Sequence, residues 1–232
     1  MRPLPAAISL AGTAIGGMAW AVRGRSSDVF APSVWRGKQG RNAIALTLDD
    51  GPGPGTEDVL EILDLHHAKA TFFQCGENVQ RAPHLSRMVS EAGHEIGNHS
   101  HTHPNCALRS VDFIMSDFAR AQQVIADAAG KAPTLVRAPF GVRWFGFREM
   151  QQALRLTGVM WTVIARDWRL PAPEISQRVI GRATDGAIIC LHDGRGLTPN
   201  PDISSTTGAL RQIIPALLDL GYHFETVSQI LI

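Results

Sequence analysis

The chain has 232 residues, of which 44% are hydrophobic, and its 22 basic and 21 acidic side chains give a formal net charge of +1. A chain of this length can bury a large apolar core in one domain without disulfide bonds. The balanced charge, with no long run of basic residues, excludes the electrostatic pattern of a nucleic-acid-binding protein. We therefore expect no nucleic acid partner.

The first forty residues differ in composition from the rest of the chain. Residues 3–22 carry no charge, have arginines on both sides and contain Ala19-Trp20-Ala21, which resembles a signal-peptidase site. This pattern is typical of a signal peptide, and its length also fits a marginal membrane anchor or an Ala/Gly-rich segment that is packed on the domain as a helix or left disordered. We expect an extracytoplasmic protein, secreted or membrane-anchored at the cell envelope through residues 3–22. Residues 1–40 are then leader and linker, and 41–232 are the folded domain.

Strand-like and helix-like segments alternate from residue 42 onward. Short apolar runs that end at Gly, Pro or Asp indicate strands, and longer amphipathic stretches with caps such as Ser110 and Gly130 indicate helices. The alternation predicts an α/β fold with a parallel sheet, and there are enough strands to close a β/α barrel. The predicted strands are 43–48, 70–75, 94–96, 135–137, 159–165, 187–191 and 223–226; the predicted helices are 56–67, 83–92, 110–129, 147–156, 174–183 and 207–220 (interrupted near Pro215), with a short one at the C-terminus.

Polar side chains follow five of these predicted strands. Because the carboxyl ends of parallel strands share one rim, a barrel would collect these side chains at its active end. Five strand ends that each carry chemically capable residues are hard to explain by chance. The segments are Asp49-Asp50, His99 to His103, Arg137 to Gly141, Asp167-Trp168 and His192-Asp193.

The histidine cluster is the most informative of these segments. On one turn of helix, His99 and His103 would project from the same face and share a divalent cation, with His101 facing away. Asp49 and Asp50 offer a third ligand, and three ligands with an open position characterise a catalytic metal site. The sequence therefore predicts metal-assisted hydrolysis. Mixed nitrogen and oxygen ligands admit Zn²⁺, Co²⁺, Ni²⁺ or Fe²⁺, and we expect Zn²⁺ because it is the most available of these metals.

The five segments, in order, resemble the motifs of a polysaccharide deacetylase of the NodB-homology type, carbohydrate esterase family four. The likeness runs from Asn42 to the C-terminus. Leu48 stands where the family usually has Phe, and Thr162 and Ile164 stand where it often has acidic residues, so substrate contacts on that wall would differ. The motifs are Thr47-Leu48-Asp49-Asp50, His99 to His103, Arg137 to Gly141, Trp161 to Trp168 and Leu191-His192-Asp193.

The resemblance implies a fold and a set of residue roles. The fold would be α/β, a distorted (β/α) barrel of the NodB-homology type that need not close completely. Asp50, His99 and His103 would bind the metal ion, and Asp49 would be the general base. His192 would be the general acid, held by Asp167, and Arg137 would orient Asp49. Substrate contacts would come from Pro139, Phe140, Gly141, Trp168 and Leu191, with the backbone N–H near Phe140 holding the oxyanion and Leu191 lining the acetyl-methyl pocket.

Three functions stay open at this point. The first is a metal-dependent hydrolase that removes N-acetyl groups from an amino-sugar polymer or oligomer, with peptidoglycan or a chitin-like glycan as its substrate. The second keeps the site and cleaves O-acetyl esters of xylan-like chains, whose leaving alcohol needs less help from the acid. The third is a catalytically silent glycan-binding domain, for which a paired base and acid have no use. Trp168 is either a sugar platform or rim packing in all three.

Overall fold

The computed structural model describes residues 16–232, and its helices and strands alternate as predicted. The helix α3 was not predicted, and the predicted strand at 159–165 is replaced by two short strands on either side of a bend. The strands are β1 Ala43–Asp49, β2 Ala70–Gln74, β3 Glu95–Asn98, β4 Leu135–Val136, β5 Thr157–Gly158, β6 Val163–Ile164, β7 Ile188–His192 and β8 His223–Phe224. The helices are α1 (described over 16–23), α2 Thr56–Leu65, α3 Gly76–Arg81, α4 Pro83–Glu91, α5 Val111–Ala129, α6 Phe147–Leu154, α7 Ala172–Ile180, α8 Ser204–Asp219 and α9 Val227–Ile230.

The strands form one parallel sheet that curls into an incomplete barrel. Its order is β5-β4-β3-β2-β1-β7-β6, and β8 pairs with the start of β1. Within residues 16–232 no ladder joins β5 to β6, so the barrel stays open along that seam. The predicted α/β barrel is confirmed, in its incomplete form.

Side chains along β1 and β7 alternate between the barrel interior and the helix layer. Ala45 of β1 and Ile188 of β7 belong to an interior cluster that α9 closes from below. Leu46 and Leu191 belong instead to the large core between the sheet and helices α2, α7 and α8. Because the strand period is two residues, Asp49 shares the interior face with Ala45. At the carboxyl ends of these strands, the side chains that face the barrel interior are therefore polar, and those that face the helices are apolar.

The predicted caps of the long helix α5 are present. Ser110 Oγ accepts a hydrogen bond from the backbone N–H of Phe113 at 3.2 Å, and Gly130 ends the helix with a φ of 74°. Glycine adopts that left-handed conformation without the penalty of a Cβ. The predicted interruption at Pro215 is wrong, since α8 runs through it from residue 204 to 219. The tertiary packing of its inner face outweighs the missing backbone donor.

Residues 24–36, here called the N-terminal strap, lie along the open seam of the barrel. Val34 forms a parallel bridge with Val159, and Arg36 bridges to Ala187 at the start of β7. The buried guanidinium of Arg143 donates to three backbone carbonyls of the strap, those of residues 24, 27 and 31. Residues 24–36 of the predicted linker therefore pack on the domain, because an open sheet edge offers hydrogen bonds that the strap completes.

The predicted leader at 3–22 lies partly outside the described residues. Its last part, residues 16–22, is helical and belongs to α1. Along residues 16–232, no helix combines the length and the hydrophobicity that crossing a bilayer requires.

Candidate active site

A cavity of about 470 Å³ opens at the carboxyl ends of the strands. It lies where the predicted polar segments meet, as expected for a β/α barrel. Two acidic, three imidazole and two guanidinium side chains share it with aromatic groups and one thiol. Its lining residues are Arg23, Asp49, Asp50, His99, His103, Ala138, Phe140, Gly141, Trp161, Ile164, Trp168, Cys190, His192, Arg195 and Gly196.

Asp50, His99 and His103 meet on one side of this cavity. Asp50 Oδ1 lies 3.3 Å from His99 Nε2 and 3.0 Å from His103 Nε2. One ligand atom from each residue lies within 4.8 Å of the other two. The predicted ligand residues therefore converge on a common point.

The two histidines do not share a helical turn, so that prediction is wrong. They lie on a loop after β3, where Ser100 has a φ of 70° and His103 a φ of 50°. Ser100 Oγ accepts a hydrogen bond from the His103 backbone N–H at 3.0 Å. Asp117 of α5 accepts from the backbone N–H groups of residues 101 and 102. Two left-handed residues and a buried carboxylate thus fold the loop so that both imidazoles point into the cavity.

The donor set fits a divalent cation. His99 Nδ1 lies 2.8 Å from the carbonyl oxygen of Arg137, which can only accept a hydrogen bond. In the neutral ring the proton therefore sits on Nδ1, and the lone pair of Nε2 faces Asp50. Asp50 Oδ1 is buried and accepts no well-aligned hydrogen bond from residues 16–232. A cation between the His99 lone pair and the buried carboxylate oxygen would satisfy both groups.

The Asp50 carboxyl group is adapted to carry charge. Burial alone would raise its pKa, but the imidazoles of His103 and His99 outweigh that effect and hold the pKa well below its usual value. Its second oxygen, Oδ2, accepts a hydrogen bond from the backbone N–H of Gly196 at 2.9 Å. The carboxylate is thus ionised and held in place.

Asp49 points to the opposite side of the chain from Asp50. Its Oδ1 accepts from Arg137 Nη1 at 2.6 Å, and the same nitrogen donates to Thr47 Oγ1 at 2.6 Å. Arg137 is fully buried and stacks over the Phe73 ring at 4.1 Å. The pairing implied by the family resemblance is thus found in the geometry. The role of Asp49 as a general base stays a prediction.

His192, at the end of β7, faces Asp49, and Asp167 fixes the orientation of its ring. Its Nδ1 lies 2.8 Å from Asp167 Oδ1, and Thr206 Oγ1 donates to Asp167 Oδ2 at 2.8 Å. Burial would lower the pKa of the imidazole, but Asp167, followed by Asp50 and Asp49, raises it to about 9. In the cation-free protein the ring is therefore an imidazolium at neutral pH. That state suits a general acid, a role that stays a prediction.

The predicted substrate-binding residues divide into two groups. Phe140, Gly141 and Trp168 line the cavity, and Phe140 and Trp168 are each about half exposed. Pro139 is buried outside the lining, and Leu191 is fully buried in the core between the sheet and the helices. The prediction that Leu191 lines the acetyl pocket is therefore wrong, because its side chain leaves the opposite face of β7.

Several residues that line the cavity were not predicted from the sequence. Cys190 lies two residues before His192 on β7 and shares its face, with Sγ 3.5 Å from Asp49 Oδ2. The two-residue strand period was the available signal for it. Arg23 comes from the strap side, and Arg195 donates to the backbone carbonyl of Asp167 at 3.1 Å. No local pattern marked either arginine, since both reach the cavity through tertiary contacts.

Curated relatives are bacterial deacetylases. Peptidoglycan-N-acetylglucosamine deacetylase PgdA of Listeria monocytogenes is 33% identical over 88% of this chain, and the chain spans 42% of that relative's length. A peptidoglycan-N-acetylglucosamine deacetylase of Bacillus cereus is 37% identical over 85% of this chain and 92% of its own. A chitooligosaccharide deacetylase of Bradyrhizobium is 34% identical over 82% of this chain and 91% of its own.

Solved structures share the fold. A peptidoglycan N-acetylglucosamine deacetylase superposes with a TM-score of 0.80 at 31% identity, covering 85% of this chain and 91% of that one. A pseudoenzyme of carbohydrate esterase family four (CE4) from Bacillus anthracis superposes with a TM-score of 0.79 at 30% identity, covering 87% of this chain and 69% of that one. The architecture is therefore found in catalytic and non-catalytic proteins alike.

The family profile described as polysaccharide deacetylase matches residues 36–159, more than half of the chain. That range contains β1, the histidine loop and the segment of Arg137, and so covers the proposed metal ligands and the base. Relatives more than 30% identical extend the likeness across most of the remaining sequence. The chain belongs to the polysaccharide deacetylase family, carbohydrate esterase family four.

Proposed function

We propose that this protein is a metal-dependent hydrolase that removes N-acetyl groups from amino-sugar polymers or oligomers. The observation that carries the proposal is the arrangement of one cavity. It has a cation-binding group on one side, a carboxylate paired with Arg137 next to it, and an imidazolium held by Asp167 opposite. Amide hydrolysis needs those three parts to activate water, stabilise an oxyanion and protonate a poor leaving group.

Asp50, His99 and His103 would hold the divalent cation. When bound, the cation would supply Lewis acidity, which acidifies water and polarises the acetyl carbonyl. Zn²⁺ suits two imidazoles and one carboxylate, and Co²⁺, Ni²⁺ or Fe²⁺ suit them as well.

Asp49 would accept the proton of the attacking water through Oδ2. Its Oδ1 is occupied by Arg137, whose guanidinium keeps the carboxylate oriented. The attack creates negative charge on the acetyl oxygen, and the loop that holds Phe140 lies on the cavity wall beside His103, with ring centroids 4.7 Å apart. A backbone N–H of that loop would donate to the oxyanion. General-base help of this kind contributes about 10²–10⁴ in rate.

His192 would then donate its proton to the amide nitrogen, so that the sugar leaves as an amine. Asp167 holds the ring in place through Nδ1, which leaves Nε2 as the donating atom. Asp49 would thus take a proton from water on one side of the carbonyl carbon, and His192 would give one to the leaving nitrogen on the other. The products are acetate and a free amino sugar.

The substrate class follows from relatives rather than from the cavity. Relatives are named for peptidoglycan N-acetylglucosamine and for chitooligosaccharides. We propose peptidoglycan as the substrate, because the uncharged segment 3–22 fits a protein exported to the cell envelope. The same segment would attach the domain to the membrane if it is not cleaved. The division into residues 1–40 and 41–232 stays a prediction, with the strap as part of the folded unit.

A silent glycan-binding domain is the rival that one comparison favours, since a pseudoenzyme shares the fold. The proposed base, acid and ligands are all present in one cavity in this chain. A protein that only bound glycan would gain nothing from an imidazolium aligned with a carboxylate base.

Acetate release measured across substrates separates the candidate functions. The substrates are peptidoglycan fragments, acetylated chitooligosaccharides and acetylated xylan, each with and without a chelator. We expect release from the amino-sugar substrates, loss of release with chelator and recovery on adding a divalent cation. Release from xylan alone would assign the esterase function. No release from any of them by folded, cation-loaded protein would assign the silent function.

A further inference from the structure

A second group of potential metal ligands lies in the cavity, separate from Asp50, His99 and His103. It consists of Asp49, Cys190 and His192, whose ligand atoms all lie within 4.8 Å of one another. The three side chains come from the paired strands β1 and β7, where Asp49 is in register with His192. Cys190 shares their face two residues earlier. The set therefore sits on two directly paired strands of the sheet.

Among the described residues, each of the three side chains has one ligand atom that makes no hydrogen bond outside this group. Arg137 occupies Asp49 Oδ1, so Oδ2 is left facing Cys190 Sγ at 3.5 Å. Asp167 occupies His192 Nδ1, so Nε2 is the ring nitrogen left for a ligand. A carboxylate on one nitrogen and a cation on the other is the usual arrangement of a metal-binding histidine. The supports that serve catalysis thus also prepare these atoms for coordination.

We propose that Asp49, Cys190 and His192 form a second cation site that takes a thiophilic dication such as Zn²⁺ or Cd²⁺. The thiol is what distinguishes this site, since sulfur selects soft and borderline cations over Mg²⁺ or Ca²⁺. On binding, the Cys190 S–H bond and the His192 Nε2–H bond break, sulfur–metal and nitrogen–metal bonds form, and two protons go to solvent. No oxidation state changes. Three protein ligands and one water complete four-coordination.

Occupation of this site would inhibit the enzyme. This consequence rests on the proposed function, in which Asp49 takes a proton and His192 gives one. A cation bound to Asp49 Oδ2 and His192 Nε2 removes both atoms from the reaction. The protein would therefore be activated by one equivalent of cation and inhibited by excess zinc, with Cys190 setting the sensitivity.

Cadmium binding tests the site without any enzyme assay. A thiolate bound to Cd²⁺ gives an ultraviolet charge-transfer absorption, and the Asp50–His99–His103 group contains no sulfur. We expect Cd²⁺ titration of the purified protein to produce this absorption, and Cys190→Ser to abolish it. Cys106→Ser is the matched control, because Cys106 is a buried thiol that belongs to neither ligand group. It should keep the absorption.

Zinc inhibition of acetate release is the second measurement. Loss of a supporting carboxylate typically costs about 10–100-fold in metal affinity, and loss of the sulfur ligand should cost at least as much. We therefore expect Cys190→Ser to raise the inhibition constant for excess Zn²⁺ by that factor, with Cys106→Ser unchanged. Cys190→Ala serves the same purpose if the serine variant fails to fold, which circular dichroism detects.

The outcomes of the two measurements are distinguishable from failure of the proposed function. Absence of the absorption in the folded protein, or its persistence in folded Cys190→Ser, would overturn the second site. Loss of the absorption in Cys190→Ser supports it even in a protein that releases no acetate. Active protein with equal zinc inhibition in Cys190→Ser would also overturn it.

Discussion

Asp49 and Asp50 are adjacent in the chain and lie in different chemical surroundings. Asp49 ends β1 on the interior face and meets the buried Arg137. Asp50 follows with a φ of 74°, which turns its carboxylate towards His99 and His103. In the proposed mechanism the first carboxylate would accept a proton and the second would bind the cation, and the left-handed torsion of Asp50 separates the two side chains.

Asp49→Asn tests the general base. The amide can still accept from Arg137, so we expect a folded protein that binds its cation normally. Without a basic oxygen, kcat/KM should fall by about 10²–10⁴-fold. Acetate release and metal content of the purified variant measure both effects. Asp58→Asn, at an exposed site on α2, is the control and should be unchanged. Retention of most activity by Asp49→Asn would assign the base to another group.

Asp167→Asn tests the positioning of the acid by its pH profile. In the free enzyme His192 must be protonated, so activity should be lost as pH rises through its pKa of about 9. A bound cation repels the imidazolium and so lowers its pKa. The alkaline limb of the pH–activity profile, where activity is lost, should therefore lie at or below pH 9. Asparagine keeps the hydrogen bond to Nδ1 and removes the charge. The limb should therefore move towards the ordinary histidine value of about 6.5.

The measurement is kcat/KM against pH for the wild type and Asp167→Asn, with Asp58→Asn as the control. A merely structural role for Asp167 would lower activity at every pH and leave the limb in place. An unchanged limb would therefore contradict the assignment of Asp167 as the residue that raises the pKa of His192.

At the scale of elements, two irregular segments complete the regular barrel. The loop after β3 brings the histidines together, and the N-terminal strap covers the seam between β5 and β6. Both segments depend on a single buried charged residue that bonds several backbone groups, Asp117 for the loop and Arg143 for the strap. Because Arg23 precedes the strap and lines the cavity, the position of the strap also shapes the site.

Arg143→Met tests the attachment of the strap. The change keeps the aliphatic stem and leaves the buried carbonyls of Ser27 and Ala31 without their donor, which lay 2.6 Å and 3.2 Å away. Each such group costs about 1–3 kcal/mol, so the free energy of unfolding should fall by at least about 2 kcal/mol. Urea unfolding measures the loss, and limited proteolysis should cut within residues 24–36.

Arg148→Met is the matched control for the strap. Arg148 also donates to strap carbonyls, but it is only half-buried. Its loss should cost about 0.5–1.5 kcal/mol, the net value of an ordinary hydrogen bond. Equal effects of the two substitutions, or no new cleavage in Arg143→Met, would contradict the role given to Arg143.

At the scale of the whole molecule, the proposed cation would link parts of the chain that are far apart in sequence. Asp50 follows β1, and His99 and His103 follow β3, with β2 and three helices between them. A ligand that binds only the folded state stabilises it by mass action. Cation binding should therefore be visible in the unfolding of the protein.

Removal of the cation should lower the thermal stability. At a cation concentration 100 times its dissociation constant, the stabilisation is about 2.7 kcal/mol. Thermal unfolding with cation and with excess chelator measures the difference. Asp50→Asn is the control, because the weakened ligand set should abolish most of the cation-dependent shift. A shift of the same size in Asp50→Asn would place the stabilising cation outside this site.

Much of the architecture could be predicted from the sequence alone. Alternating apolar runs and amphipathic stretches predicted most strands and helices of the α/β barrel, because local periodicity reflects which face is buried. The order of the five motifs also predicted which residues would meet at the rim. Asp50, His99 and His103 converge, and Arg137 pairs with Asp49, as the family resemblance implied.

Only the tertiary structure decided how those residues are presented. The spacing of His99 and His103 suggested a helix, whereas backbone N–H groups that donate to Asp117 and Ser100 impose a left-handed loop. The pairing of β7 with β1 decided that Cys190, and not Leu191, faces the cavity. The strap became part of the domain because the sheet had an unpaired edge. Each of these outcomes depends on contacts between residues distant in sequence, which local patterns do not encode.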